Sequence, residues 1–132
     1  MIALDALGLA PACWSPLGAI GPHGVGLDIE RDALLVVFDH AALGWVDPDS
    51  GREPHRLALA GEPDVVLVDG RRASAYVCVG DPPTFHVVDL DERAPPEAIT
   101  TGAGGKTAAL DADRGRLYVF LPRAGQAWIC AL

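Results

Sequence analysis

The sequence predicts an all-β fold built from four-stranded antiparallel blades, the architecture of a β-propeller, and three observations predict it. Short apolar runs of β-type residues at 34–38, 75–79 and 115–120 each follow an aspartate: Asp28, Asp69 and Asp111, spaced 41 and 42 residues apart. A period of that length built from short strands is that of a blade array. Each aspartate is followed three residues later by an arginine (Arg31, Arg72, Arg114), so the turn repeats along with the run. Finally, no stretch carries an apolar stripe of helical period that escapes interruption by Pro, Gly or an Asp-bearing turn. The 132 residues are one domain's worth of chain. They divide into N-terminal strands at 1–21, a blade at 22–62, a blade at 63–104 and a partial blade at 105–132, roughly three blades in all.

Within each unit the elements come in a fixed order. The first segment, at 24–28, 65–69 and 107–111, is four small or apolar residues running into the aspartate. Small side chains there (Gly26, Ala108, Ala109) suit the crowded strand nearest a central channel. The Asp–Arg turn comes next, then the apolar run, in which Leu35, Tyr76 and Tyr118 correspond. Neither strand shows strict apolar–polar alternation, so both faces are expected to be covered, as between neighbouring blades. A third segment at 44–47, 86–89 and 127–130 sets Trp45, Val87 and Trp128 in equivalent places, which implies packing between blades. The fourth lies at 57–61 and 98–102, and 17–21 matches it upstream, while 2–5 matches the third segment.

Composition narrows the function. Half the residues are hydrophobic and 21% are charged, which fits a folded globular chain. A net charge of −8 with a single lysine, Lys106, argues against nucleic acid and against anionic membranes as partners. The apolar N-terminus lacks a preceding Lys or Arg and is broken by Asp5 and Pro11, so it reads as part of the fold and not as a signal peptide. Cys13, Cys78 and Cys130 are odd in number and two fall in apolar runs, so reduced, packed thiols and a cytoplasmic setting are expected.

The motifs Pro22-His23-Gly24-Val25, Arg116-Leu117-Tyr118-Val119, Val46-Asp47 and Val88-Asp89 resemble the YVTN/YncE-like and NHL-like β-propeller repeats, over nearly the whole chain. Those motifs are scaffold residues, so the resemblance speaks to fold more than to activity. It implies that the start of the first strand, occupied by His23, Asp64 and Lys106, lies near one mouth of the central channel. Complete members carry six to eight blades. Roughly three blades here imply either the remainder of a larger propeller or a homodimer in which two chains exchange a strand and close a six-bladed ring.

The other candidate chemistry is thin. The Gly-Gly-Lys-Thr at 104–107 lacks the upstream glycine of a phosphate loop, Thr100 standing in its place, and reads as a connection between blades. His23, His40, His55 and His86 are scattered, and Asp89, Asp91 and Glu92 read as a solvated turn. No catalytic residue, metal site or cofactor is expected. The favoured function is a non-enzymatic scaffold presenting its rim, through His23, Asp64 and Lys106, to a protein or small ligand. The alternative is a lyase- or lactonase-type propeller enzyme with its site at the channel mouth.

Overall fold

The computed structural model describes residues 21–132, and within them eleven strands form three antiparallel sheets. The first sheet holds β1 (Pro22–Asp28), β2 (Ala33–Phe38), β3 (Ala42–Val46) and β4 (His55–Ala58) in sequential order. The second holds β5 (Pro63–Asp69), β6 (Ser74–Val79), β7 (Thr84–Asp89) and β8 (Glu97–Thr100). The third has three strands, β9 (Thr107–Asp111), β10 (Arg116–Leu121) and β11 (Gln126–Ala131). The one helical feature among the described residues is a single 3-10 turn, Gly70–Arg72, and no described helix is long and apolar enough to cross a membrane. The matches proposed for 2–5 and 17–20, the thiol of Cys13 and the signal-peptide question lie outside the described residues.

The aspartates set the hairpins. Asp69 accepts the backbone N–H of Arg72 at 3.2 Å and its guanidinium at 2.7 Å, and Asp111 does the same for Arg114 at 3.0 and 2.8 Å. A second set of aspartates closes the outer turns: Asp47 takes the N–H and hydroxyl of Ser50, and Asp89 takes the N–H groups of Asp91 and Glu92. Short polar side chains that satisfy local N–H groups in this way favour turns over continued strands. The acids at 89–92 are thereby committed to the turn and, through Asp91, to Arg31.

The sheets stack face to face. We call the face turned toward the next blade in sequence the forward face and the other the backward face. Leu35, Val37, Leu43 and Trp45 on the forward face of the first sheet pack with Val66, Ala75, Val77 and Val88 of the second. Tyr76 and Phe85 on the forward face of the second pack with Leu117, Val119 and Leu121 of the third. The central sheet is covered on both sides, which is why β6 reads as one apolar run without alternation. In β10 burial does alternate: Leu117, Val119 and Leu121 are buried while Phe120 is half exposed, because its forward face is open. The expectation that both faces of the first two strands are covered therefore fails at β10, and at β1, where Val25 and Leu27 are exposed.

Approach between the first two sheets is closest along their inner strands and depends on glycine. A Cβ added at Gly24 would sit 2.7 Å from the Asp64 carbonyl oxygen, and one at Gly26 would sit 2.6 Å from Cγ2 of Val68. The equivalent residues of β5 are Val65 and Leu67, and the second and third inner strands touch less extensively.

Register corrects one sequence expectation. Leu35 pairs with Trp45 and Tyr76 with Val87, but Tyr118 pairs with Ile129, not Trp128. The β2–β3 connection spans 39–41, whereas the matching connections at 80–83 and 122–125 are each one residue longer. Equal spacing from the second strand therefore slips by one residue in the third blade, and one residue of slip moves a side chain to the other face. Trp45 is 1% exposed, whereas Trp128 is 39% exposed opposite Val119. By the same pairing Leu57 matches Ile99 and not Ala98, and the fourth strands, His55–Ala58 and Glu97–Thr100, lie earlier than the sequence segments do.

His86 is buried on the backward face of the second sheet opposite Val77, and neither ring nitrogen has a well-directed partner, although the Ala60 backbone bears on the ring. Burial holds its pKa below the ordinary value, with the Ala60 carbonyl acting weakly in the opposite sense. The unfolded chain therefore binds a proton that the native state refuses, so stability falls as pH drops through about 6.5. Urea midpoints at pH 7.5 and 5.5 are expected to differ for the native sequence. For His86→Leu that difference should shrink; an unchanged difference would assign the acid sensitivity to other groups.

Cys78 and Cys130 are free thiols, the first buried and the second half-buried. Burial, aided by the charge of Asp64, pushes the Cys78 thiol up to about 11. Because the thiolate is the reactive form, iodoacetamide at neutral pH is expected to modify Cys130 before Cys78, and Cys78 only on unfolding. Modification of Cys78 at the same rate as Cys130 in the native protein would contradict this.

Candidate functional site

The three rim residues do not form one cluster. His23 and Asp64 each sit at the irregular start of an inner strand, where the ladder skips from Pro22 to Gly24 and from Pro63 to Val65. Lys106 directly precedes β9. Lys106 reaches back from the third blade to the second: its stem lies over Gly80 and its ammonium is 3.2 Å from Asp64 Oδ2. That oxygen is enclosed and receives no well-aligned hydrogen bond, so the contact is an ion pair of charge more than of direction. His23 joins neither residue. Its Nε2 is held by Asp39, which follows β2 in its own blade and whose N–H bonds the Gly21 carbonyl at 3.0 Å.

Asp39 is a site residue that the sequence reading missed. The available signal was positional: Asp39 and Gly80 both directly follow the second strand of their blades, next to the irregular start of the first. A neutral imidazole that donates Nε2–H to Asp39 leaves Nδ1 as an acceptor, an arrangement that can bind a donor or move a proton. Both partners are close to half exposed.

Beside this pair lies a cleft of about 370 Å³ lined by Phe38, Asp39, His40, Ala42, Arg56 and Leu57. That volume lies within the usual range for small-ligand pockets, which combine apolar walls with a few polar groups. Arg56 is oriented by two 2.6 Å hydrogen bonds to the largely buried Glu53, and its guanidinium stands 5.4 Å from the centroid of the Phe38 ring. The cleft thus offers a guanidinium already paired with Glu53, one carboxylate and an aromatic wall. Among the described residues no three His, Cys, Asp or Glu side chains are grouped to hold a metal ion. The Gly-Gly-Lys-Thr segment runs into β9 and not into a helix, so it offers no helix N-terminus for phosphate.

The Asp–Arg turns prove to be joints between blades as well as hairpin closures. Arg31 bonds Asp28 within its turn and reaches forward to the Gly70 carbonyl at 3.4 Å and to Asp91 at 2.6 Å. Arg72 repeats the move, reaching the Ala112 carbonyl at 2.8 Å. Arg71 meets Asp113 at 2.8 Å across the same boundary.

No family model matches the chain, and no curated protein matches it. Among solved structures it is similar to hydrazine synthase of Kuenenia stuttgartiensis, with a TM-score of 0.68 and 19% identity over 79% of this chain and 30% of that one. It is similar to AztD of Citrobacter koseri, with a TM-score of 0.61 and 16% identity over 86% and 31% of the two chains. It also resembles BamB of Moraxella catarrhalis, with a TM-score of 0.54 and 18% identity over 84% and 37%. The chain spans about a third of the length of these solved chains. At such identities the likeness speaks to architecture alone: the chain is an all-β protein of β-propeller fold, matching part of a larger propeller.

Proposed function

We propose that this chain is a non-enzymatic β-propeller scaffold, of the YVTN/YncE-like and NHL-like kind, that presents its rim to a small ligand or protein segment. The observation that carries the reading is the cleft beside the His23–Asp39 pair, which Arg56 and Asp39 line together with the Phe38 ring. The guanidinium donors that Glu53 leaves unused, together with the Asp39 carboxylate, favour a ligand with both an acceptor and a donor group, such as an amino-acid-like moiety. Asp64 and Lys106 contribute a second, neutralised point on the rim, between the second and third blades. The setting is taken as cytoplasmic, compatible with the free thiols of Cys78 and Cys130.

The chain acts within a ring completed by other blades. These are supplied by the rest of a larger propeller or by a second copy added along β11, an edge strand among the described residues.

The test is ligand-observed NMR with a fragment set rich in zwitterions, run on the native protein and on Arg56→Ala and His23→Ala. Binding that is lost in both variants is the expected result. Binding that ignores both variants, or no binding at all, overturns the cleft assignment. A divalent cation retained through chelation and dialysis would instead favour the lyase- or lactonase-type alternative.

A further inference from the structure

We propose that the forward face of the third blade is a head-to-tail interface that receives the first blade of a second copy of this chain. The proposal rests on the reading of the chain as part of a ring, and it names the surface and residues that complete the ring.

The forward face of the second blade shows what such a surface is built to hold. Its Leu67, Tyr76, Phe85 and Val87 are packed against the third blade. The register-equivalent residues on the third blade are Ala109, Tyr118, Ala127 and Ile129, with Phe120 in the place of Cys78. Phe120 is 49% exposed and Ile129 is 64% exposed. Apolar side chains in an interface pattern, left uncovered on one sheet face, mark an interaction site.

The matching half of the interface is exposed on the same chain. Val25 and Leu27 on the backward side of β1 occupy the places of Val66 and Val68, the two residues that cover Gly26. They are 64% and 54% exposed. Covering of that kind requires small residues on the forward side of the receiving inner strand, and β9 supplies Thr107 and Ala109 where β1 has Gly24 and Gly26. Val36, Phe38 and Val46 of the first blade are already buried, so the contact runs along β1 and its turn, the part of the first-to-second boundary where the strands approach most closely.

The polar joint repeats as well. Arg31 and Arg72 each donate to the carbonyl just after the turn aspartate of the next blade, at Gly70 and Ala112. Arg114 holds the same position on the third blade, 72% exposed and paired with Asp111. The acceptor it lacks is the carbonyl of Ile29, a residue 78% exposed on the first blade. Asp49, two residues after Asp47, stands where Asp91 stands after Asp89 and offers the carboxylate that Arg31 finds there. One position opposes association. Arg71 faces Asp113, but in a second copy the residue meeting Asp113 is Glu30, a like charge.

The experiment is sedimentation velocity on the native chain and on Leu27→Lys and Phe120→Lys, which break opposite halves of the contact at half-exposed positions that leave the fold intact. The native chain is expected to dimerise across the micromolar range and each variant to be monomeric. An equimolar mixture of the two variants should dimerise again, because the good forward face of one meets the good backward face of the other. Glu30→Gln should tighten the native dimer about threefold, the scale of one surface charge contact. A native chain that stays monomeric, or a variant mixture that does, overturns the proposal; the former points to further blades of a longer protein as the occupant. Fragment binding at the Arg56 cleft, measured on the monomeric variants, reports on the scaffold reading separately.

Discussion

Trp45→Ala is expected to destabilise the protein by about 3–5 kcal/mol, the range for removing a large buried aromatic side chain. Trp45 is 1% exposed in the cluster shared by the first two blades, with His55 edge-on at 4.9 Å and the Arg93 guanidinium 5.5 Å from its ring centroid. Its loss removes packing from both sheets at once, so the cavity cannot close by a shift of one strand. Against a typical domain stability of about 5–15 kcal/mol the variant is expected to stay folded with a sharply lowered urea midpoint. Trp128→Ala, by contrast, removes a side chain 39% exposed on the third sheet and should cost far less. Urea unfolding of the two variants checks the register directly. Equal costs would mean that the two tryptophans are equivalent after all.

Arg31→Ala is expected to cost about 3 kcal/mol, the lower end of the range for orphaning a buried charge. Asp28 is fully buried and its guanidinium partner is only 20% exposed. The truncation also removes the bonds to the Gly70 carbonyl and Asp91, so it loosens the joint between the first two blades. Asp91 is the chief cause that raises the pKa of Arg31, opposed by burial and supported by Asp28. Arg31→Lys keeps the charge but loses the planar fork and should fall between the two. Adding Asp28→Asn to Arg31→Ala should recover part of the loss, since the orphaned charge is then gone. A double variant no more stable than Arg31→Ala would show that the cross-blade bonds, and not the buried carboxylate, carry the effect. At Arg72 the same logic has a pH signature. Burial works to raise the Asp69 carboxyl, but the side-chain and backbone hydrogen bonds of Arg72 outweigh it and the net shift is downward. The stability contributed there is present above the ordinary carboxylate pKa of about 3.9 and is lost as pH falls below it.

The period, the turn aspartates and the partial third blade were legible in the sequence because each is a local pattern repeated in register. Two things were not. The slip at Trp128 came from a connection that differs by one residue between blades, which changes no residue type and leaves the apolar pattern intact. The rim residues His23, Asp64 and Lys106 occupy matching places but find different partners. Which neighbour each one reaches depends on the residue just after the second strand, Asp39 in the first blade and Gly80 in the second. The Asp–Arg spacing announced the hairpins, but its second role across blades depends on how closely the sheets approach, which no single unit encodes.

That approach is uneven, and the unevenness bears on the geometry of the whole assembly. The glycines of β1 let the inner strands of the first two sheets come together tightly, whereas Leu67 fills the boundary between the second and third, whose inner strands touch less extensively. Each boundary is therefore set by its own pair of inner-strand residues and not by one spacing common to the array. One substitution at Gly26 or Leu67 is therefore expected to widen or narrow a single boundary and leave the other as it is.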